Sequence, residues 1–236
     1  MRYQTKEDFV ADTLREAILS GGLPRGHHLK QAELAAQLGL SVTPVREALK
    51  LLEAEGYVTR KSHHGVQVSQ FDVHASEDVI GLRVLLEERL VRAAIARLQP
   101  GDLGALEQLQ REFEQAIQAS DRRRVRGANY RFHRTLYEIA QMSQSLHFVQ
   151  VLWARYPFDL INQIEGRARR AAQEHRQLLD HLRAGDADQA ARAIRLHIQE
   201  GWVELEAQLS ETRREPRKRI RTTTQAAIAD PEETRS

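Results

Sequence analysis

Two short amphipathic segments joined at Gly39 constrain the fold of this chain more than any other feature. In the first segment, apolar residues recur at helical spacing between positions 34 and 38. Gly39 tolerates the positive φ of a helix C-terminus. A second helix is predicted to begin after an N-cap at Ser41, to carry Pro44 in its first turn, where a missing N–H does no harm, and to bury Val45, Leu49 and Leu52. Two helices joined by a tight turn containing glycine form a helix-turn-helix, whose second helix enters the major groove of DNA.

The residues after Gly56 predict a short β-hairpin. Residues 57–59 favour strand, and Val66 and Val68 alternate with Gln67 on the other side of a turn. The turn itself, residues 60–65, is polar and basic and ends in glycine. The helix pair alone is also compatible with two packed helices of any α domain. A hairpin placed directly after it argues against that alternative, because the hairpin corresponds to the wing of a winged helix.

The composition limits where and how such a chain works. With 236 residues it can hold one or two domains. The net charge of +2 provides no strong global field, so DNA binding must depend on the local placement of charge. The absence of cysteine excludes disulfides and thiolate metal sites. No apolar run approaches the roughly 20 residues that span a bilayer, and the N-terminus lacks an apolar signal core. We therefore expect a soluble cytoplasmic protein without a membrane partner.

The helical periodicity divides the chain into two domains and a tail. A capping box at Thr5 and Asp8 predicts a first helix that runs to Ser20 and whose apolar face carries Phe9, Val10, Leu14, Ala17 and Ile18. The predicted fold is mainly α, with an N-terminal winged helix-turn-helix domain (1–70) and a C-terminal antiparallel all-α bundle of six or seven helices (76–211). Its predicted helices include 76–98, 121–142 and 187–211, and Pro157 should kink or divide another. The polar tail, 212–236, is expected to be disordered.

Three histidines occupy positions on the apolar faces of predicted helices. They are His133, His175 and His197, and Asn129 lies one turn before the first of them. An unpaired polar group in a core costs about 1–3 kcal/mol, so each imidazole needs a partner. The partner can be a hydrogen-bonding residue of the core, or it can be a divalent metal such as Zn, Ni, Fe or Cu, which imidazole suits. The spacing leaves both interpretations open.

Arg83 is the second polar residue with an inward position. It is in line with Val79, Leu86 and Leu90 on one helix face. A buried guanidinium can bind a carboxylate in bidentate geometry, which makes Arg83 a candidate anchor for a small organic acid. It can equally form a salt bridge with Glu87, four residues further on, or with another glutamate.

The stretch Leu-Ala-Ala-Gln-Leu-Gly-Leu-Ser-Val-Thr-Pro-Val-Arg-Glu-Ala-Leu, residues 34–49, resembles the N-terminal domain of GntR-type bacterial transcription regulators. The later sequences Leu-Glu-Ala-Glu-Gly-Tyr-Val and His-Gly-Val-Gln-Val extend the resemblance. At the position of Val42 that family usually has an arginine that contacts DNA. The resemblance implies DNA contacts at the matching positions, which are Ser41, Thr43, Pro44, Arg46, His64 and Gly65.

The remainder of the chain, over nearly all of residues 76–205, resembles the FCD effector-binding domain of the FadR subgroup. The resemblance is carried by Arg83-x-x-x-Glu87, Asn129-x-x-Phe132-His133, Glu174-His175 and His197. In metal-containing members of that subgroup, one Asp and three His hold the ion. This implies a divalent metal, Zn or Ni, at Asn129, His133, His175 and His197, with Arg83 as the effector-binding residue. Asn129 stands where the family has Asp, which removes a negative charge and weakens binding of a dication.

We interpret the chain as a ligand-responsive DNA-binding transcription regulator, a homodimeric repressor that a small organic acid releases from an inverted-repeat operator. One alternative is a metal-dependent enzyme that uses the histidines. Against it, the sequence offers no poised nucleophile and no His-Glu-x-x-His. The other alternative is an activator or architectural DNA-binding protein without a ligand, which would leave the inward histidines unexplained.

Overall fold

The structure of the protein is a computed structural model that describes residues 5–61, 65–70, 76–161 and 163–214. Within these ranges, thirteen regular elements follow one another along the chain. The first six belong to a small mixed domain, and the remaining seven are helices. None of the helices in the described part of the chain has the length and the apolar content that crossing a bilayer would require.

The N-terminal part combines three helices with a three-stranded sheet. The helices are α1 (Lys6–Leu19), α2 (Gln31–Leu38) and α3 (Val42–Glu55), and the strands are β1 (His28–Leu29), β2 (Val58–Lys61) and β3 (Gly65–Val68). The sheet is antiparallel in the order β1-β3-β2, so the predicted hairpin is present. The strand β1 was not predicted. It pairs Leu29 with Val66 and places β3 at the centre of the sheet, where Gln67 is buried along with its valine neighbours.

Backbone features that the sequence predicted define the helix-turn-helix. Gly39 and Gly56 end α2 and α3 in the left-handed conformation, with φ of 65° and 89°. Ser41 has the extended backbone of an N-cap, although its side chain makes no capping hydrogen bond. Val45 and Leu49 are fully buried, as is the rest of the predicted apolar face of α3.

Helix α1 differs from its prediction on one face. The capping box is present, since Thr5 and Asp8 exchange backbone-to-side-chain hydrogen bonds of 3.2 Å. Phe9, however, is 51% exposed, so its assignment to the apolar face was wrong. The inward positions are occupied instead by residues such as Ala11 and Arg15. Arg15 is buried because Glu55, the last residue of α3, meets it with two hydrogen bonds of 2.7 Å.

The C-terminal part contains seven helices and no strand among the described residues from 76 onward. They are α4 (Ser76–Ile95), α5 (Pro100–Gln118), α6 (Arg122–Ile139), α7 (Ser143–Ala154), α8 (Phe158–Ile161), α9 (Arg167–Ala184) and α10 (Ala187–Arg214). Pro157 divides α7 from α8, as predicted.

Three predicted helix ends need correction. Helix α4 ends at Ile95 rather than Leu98, because the backbone N–H groups that follow donate to the carbonyl three residues earlier instead of four. Helix α6 ends at Ile139 rather than Met142, because Gln141 takes a φ of +52°. Helix α10 continues to Arg214, so the first residues of the segment predicted to be disordered are helical. The rest of that segment, 215–236, and the connector, 71–75, lie outside the described residues.

The two parts of the chain contact each other mainly through α1 and α6. The Arg131 guanidinium on α6 lies 2.7 Å from the Glu16 carboxylate on α1. The buried hydroxyl of Tyr57, next to α3, donates to the carbonyl oxygen of Gln150 on α7 at 2.7 Å. Polar contacts, among them one from the Arg25 guanidinium to the carbonyl oxygen of Tyr156, therefore connect the N-terminal domain to the helical bundle at several places.

Candidate DNA interface and candidate metal and effector site

The N-terminal end of α3 carries four of the six residues predicted to contact DNA. Ser41, Thr43 and Arg46 are exposed there. Pro44 is buried, so its ring packs inside the domain and fixes the first turn of the helix. Val42 is 43% exposed and puts an apolar side chain at this end of the helix.

Lys50 adds a cation to this surface and was not among the residues predicted to contact DNA. It is exposed one turn beyond Arg46, and the i, i+4 spacing could have identified it. The ammonium of Lys50 lies 3.1 Å from the Glu47 carboxylate, and Nε of Arg46 lies 3.5 Å from it. Such exposed ion pairs are weak, so a DNA phosphate can displace them.

The hairpin supplies the second part of the candidate interface. Gly65 is exposed at the start of β3 with φ of +73°, a conformation that favours glycine. Arg60 on β2 is exposed as well and lies 3.4 Å from Glu53. His64 lies outside the described residues.

The three histidines of the bundle come together in one cluster. His133 on α6 and His175 on α9 are buried, and His197 on α10 is half-buried. The Nε2 atoms of His133 and His175 are 3.1 Å apart, and one ring nitrogen of each of the three residues lies within 4.8 Å of the others. Burial lowers the pKa of His133 and of His175 well below the usual value, and the neighbouring histidines and arginines lower it further. Both rings are therefore neutral near pH 7, which is the form that binds a metal.

Hydrogen bonds set the tautomer of His175. Its Nδ1 lies 3.1 Å from Oε1 of Gln110 on α5. The amide nitrogen of Gln110 donates to the Ala172 carbonyl and to Glu114, so its oxygen is the atom that faces the histidine. His175 must therefore carry its proton on Nδ1 and leave a lone pair on Nε2.

The same argument applies to the other two histidines. The hydroxyl of Tyr137 donates to Glu87 and lies 3.4 Å from Nδ1 of His133, so it can only accept from that nitrogen. Nδ1 of His197 donates to the Glu174 carboxylate at 2.6 Å. Nε2 of His133 and Nε2 of His175 consequently present lone pairs within the cluster, and the hydrogen bond from Nδ1 leaves Nε2 of His197 as the remaining ligand atom of that residue.

Facing lone pairs at this distance repel each other unless a cation lies between them. Two imidazole nitrogens bound tetrahedrally to zinc lie about 3.3 Å apart, given Zn–N bonds of roughly 2.0–2.1 Å, and His133 and His175 are separated by 3.1 Å. The donor set therefore fits a divalent metal. The partners on Nδ1 are of the kind that orients metal-binding histidines in proteins.

Glu174 supports His197 with a full negative charge. Burial alone would raise the pKa of Glu174, but hydrogen bonds from His197 and Arg167 overcome that effect and lower the pKa to about 2. Arg167 is buried and binds Glu174 in bidentate geometry at 2.6 and 2.8 Å. From the sequence, Glu174 was recognised only as part of a motif, and Gln110 was not identified. A polar residue between Leu106 and Phe113 on an apolar helix face was the available signal for Gln110.

The sequence left two possible partners for Arg83, a glutamate and an organic acid. Its Nε donates to Glu87 at 2.7 Å, so the salt bridge is formed. Its guanidinium also lies over the ring of Tyr156, 4.5 Å from the centroid, and over Phe158 at 5.5 Å. Burial opposes the charge of Arg83, but Glu87 more than compensates and raises the pKa of the guanidinium.

Two adjoining cavities lie against the histidine cluster. Including the open space at their mouths, they have empty volumes of about 390 and 430 Å³. Both are lined by Arg83, Asn129, Phe158 and His197, and the first also by His133. The structure therefore brings all five bundle residues predicted from the sequence to one place: His133, His175 and His197 in the cluster, and Asn129 and Arg83 in the cavity walls beside it.

A transcription regulator that responds to a small molecule has two parts. One is a winged helix that reads DNA sequence, and the other is a separate domain with a cavity for the ligand. Comparisons with known families support this class directly. The model of the bacterial regulatory proteins of the gntR family matches residues 6–68, and that of the FCD domain matches residues 78–200. The chain belongs to the GntR family of bacterial transcription regulators and carries an FCD effector-binding domain.

Individual relatives agree with this assignment. The HTH-type transcriptional regulator McbR of Escherichia coli is 28% identical over 76% of this chain and 83% of that protein. A probable D-xylose utilization operon transcriptional repressor of Paenarthrobacter nicotinovorans is 29% identical over 80% of this chain and 84% of that protein. The solved structure of E. coli McbR/YncC covers 87% of this chain and 99% of its own, with a TM-score of 0.74 and 26% identity. These relatives are regulators, and the chain is a regulator rather than an enzyme.

Proposed function

We propose that this protein represses transcription as a homodimer on an inverted-repeat operator, and that a small organic acid releases it. In this proposal Asn129, His133, His175 and His197 hold a divalent metal, and the effector carboxylate binds between the metal and Arg83. The convergence of three imidazole lone pairs beside a cavity lined by a guanidinium carries the proposal. Operator DNA as the target implies that the protein works in the cytoplasm. The repressor named among the relatives supports repression over activation.

A combined screen tests the proposal. Thermal shift is measured for a set of small organic acids with and without EDTA, and each acid that stabilises the protein is added to a gel shift on the DNA upstream of the gene. We expect at least one acid to stabilise the protein through mass action, to lose that effect in EDTA and to release the DNA. Stabilising acids that leave the protein–DNA complex intact would contradict the proposed release.

Arg46→Ala is expected to weaken operator binding by about 1–3 kcal/mol if Arg46 contacts a guanine. Arg46 is exposed near the start of α3, the helix expected to enter the major groove. Fluorescence anisotropy on operator and on unrelated DNA distinguishes the kind of contact, because loss of a phosphate contact weakens both equally. Arg111→Ala, which removes an exposed arginine from α5, is the charge-matched control. Unchanged operator affinity in Arg46→Ala would contradict the proposed orientation of α3.

The neighbouring helices α4 and α10 carry the surface that we propose for dimer formation. Four of the exposed large apolar side chains lie on these two helices, which pack against each other; they are Leu82, Leu85, Leu196 and Val203. GntR regulators usually act as dimers, and a two-fold operator requires a two-fold protein. A second copy of the chain is therefore the occupant that fits this face.

Leu85→Glu is expected to weaken the dimer by at least tenfold, because Leu85 is 68% exposed in one chain and would become a buried charge in the interface. Sedimentation equilibrium at micromolar concentration measures the change. Phe9→Glu makes the same kind of substitution at an apolar residue that is 51% exposed on α1, and it should leave the dimer intact. A wild-type protein that binds its operator tightly as a monomer would contradict the dimer itself.

A further inference from the structure

The wall of the effector cavity is shared between the two domains. Leu19, at the end of α1, lines it together with residues of the helical bundle, which include Arg83, Arg126 and Asn129. Leu19 is only 7% exposed, so the first helix of the DNA-binding domain closes part of the cavity. A molecule in this cavity contacts both domains at once.

Arg126 connects the cavity to the end of α1. Its Nε donates to the backbone carbonyl of Ser20 at 2.8 Å, and Ser20 is the C-cap of α1. A cation at this position satisfies a terminal carbonyl and interacts favourably with the helix dipole. The guanidinium also packs closely on Gly21, where an added Cβ would lie 2.1 Å from its Nη2. The position of Arg126 and the position of the α1 C-terminus are therefore linked.

We propose that Arg126 is a second anion-binding residue of the effector cavity, which selects an organic acid with two acidic groups and couples its binding to the DNA-binding domain. The inference rests on the proposed function and extends it to the class of effector. Two guanidiniums, those of Arg83 and Arg126, line one cavity. The planar guanidinium of each arginine can donate two parallel hydrogen bonds to a carboxylate. An acid that binds both arginines therefore carries a carboxylate at each end.

The route from Arg126 to DNA consists of rigid contacts. A carboxylate bound by Arg126 draws the guanidinium of Arg126 away from the Ser20 carbonyl. The C-terminus of α1 then loses this hydrogen bond. Helix α1 is connected to the C-terminal end of α3, because Arg15 on α1 and Glu55 on α3 form a buried bidentate pair at 2.7 Å. A shift of α1 must therefore move α3 with it. Effector binding then favours one orientation of α3, and the free energy of coupling appears as release of the operator.

The experiment compares acids that differ only in their second carboxylate. The probes are the straight-chain diacids from malonate to adipate and the monoacids of the same chain lengths, titrated calorimetrically into the metal-loaded full chain. We expect at least one diacid to bind the wild type more tightly than its matched monoacid. In Arg126→Gln the affinity for that diacid should fall by roughly 10- to 100-fold, the effect of losing a charge-assisted pair. The same diacid should no longer release operator DNA from this variant.

Arg131→Gln is the matched control. Arg131 lies on the same helix and also binds α1, through Glu16, but it does not line the cavity. It should retain the preference for the diacid, so a loss in Arg126→Gln alone identifies the cavity contact rather than the domain interface. Arg126→Lys retains the charge but cannot form bidentate hydrogen bonds, so its affinity for the diacid should fall by an intermediate amount. This variant supplies the test if the glutamine variant does not fold.

Two results would overturn the inference. One is a wild-type protein that binds no diacid more tightly than the matched monoacid. The other is a folded Arg126→Gln or Arg126→Lys variant with wild-type affinity for the diacid. Calorimetry without DNA keeps this test separate from the proposed function, because failure to bind a specific DNA sequence would contradict the repressor while leaving the diacid measurement intact.

Discussion

Replacing His175 with alanine is expected to remove the divalent metal that we propose for the bundle. Wild-type protein purified without a histidine tag should contain about one ion per chain by elemental analysis. His175 is 1% exposed and supplies one of the three converging Nε2 atoms. Its loss should cost more than the roughly 10- to 100-fold in metal affinity that typically follows loss of a supporting hydrogen bond. Gln110→Ala, which removes the partner of His175 Nδ1 and leaves all three imidazoles in place, should fall within that range.

His181→Ala controls for the removal of a histidine from the same helix. His181 lies on α9 but outside the cluster, so this variant should keep the ion. EDTA should lower the thermal midpoint of the wild type and of His181→Ala and leave that of His175→Ala unchanged, since only a bound ion stabilises the folded state by mass action. A metal-free wild type that still binds an organic acid would refute the metal and leave Arg83 as the main anchor.

Arg15→Met is expected to destabilise the protein by about 3–5 kcal/mol, because it leaves the Glu55 carboxylate buried without its bidentate partner. The side chains of Arg15 and Glu55 are 6% and 3% exposed, so water cannot take over the lost hydrogen bonds. Urea denaturation of the full chain followed by circular dichroism measures the change in the free energy of unfolding.

The double variant Arg15→Met, Glu55→Met separates the cost of an unpaired charge from the value of the pair. Because methionine fills similar volume without a charge, the double variant should recover most of the lost stability. Lys30→Met is a control at an exposed pair, in which the Lys30 and Glu33 side chains are 71% and 61% exposed, and it should leave the stability nearly unchanged. A double variant as unstable as Arg15→Met would mean that packing rather than charge explains the loss.

Several features governed by neighbours in sequence were predicted correctly. Thr5 and Asp8 form a capping box within one helical turn, and Gly39 and Gly56 end their helices because they tolerate positive φ. Pro157 separates two helices for an equally local reason. Periodicity also identified the inward faces that carry the three histidines, since an imidazole among leucines at helical spacing is visible in a single sequence.

Features that depend on distant partners were not predicted. Arg15 replaces Phe9 on the inner side of α1 because its partner, Glu55, lies forty residues away. Gln110 acts on a histidine sixty-five residues further along the chain, and neither residue indicates the other in sequence. The strand β1 has two residues, which is too short for a periodic signal, yet it determines that Gln67 is buried. Helical periodicity predicts which face of a helix is buried, but only the folded structure shows which distant side chains pack against that face.

Selection of bound sequences from a random DNA library tests the central claim most directly, because it requires no knowledge of the regulated genes. Purified full-length protein is taken through successive rounds of binding at physiological salt, with Arg46→Ala selected in parallel. We predict that the wild type enriches one sequence with two half-sites in inverted orientation, and that the variant loses the preference at one position of each half-site. A wild-type pool that shows no enriched sequence, with binding that depends on salt alone, would contradict the account of this protein as a sequence-specific regulator.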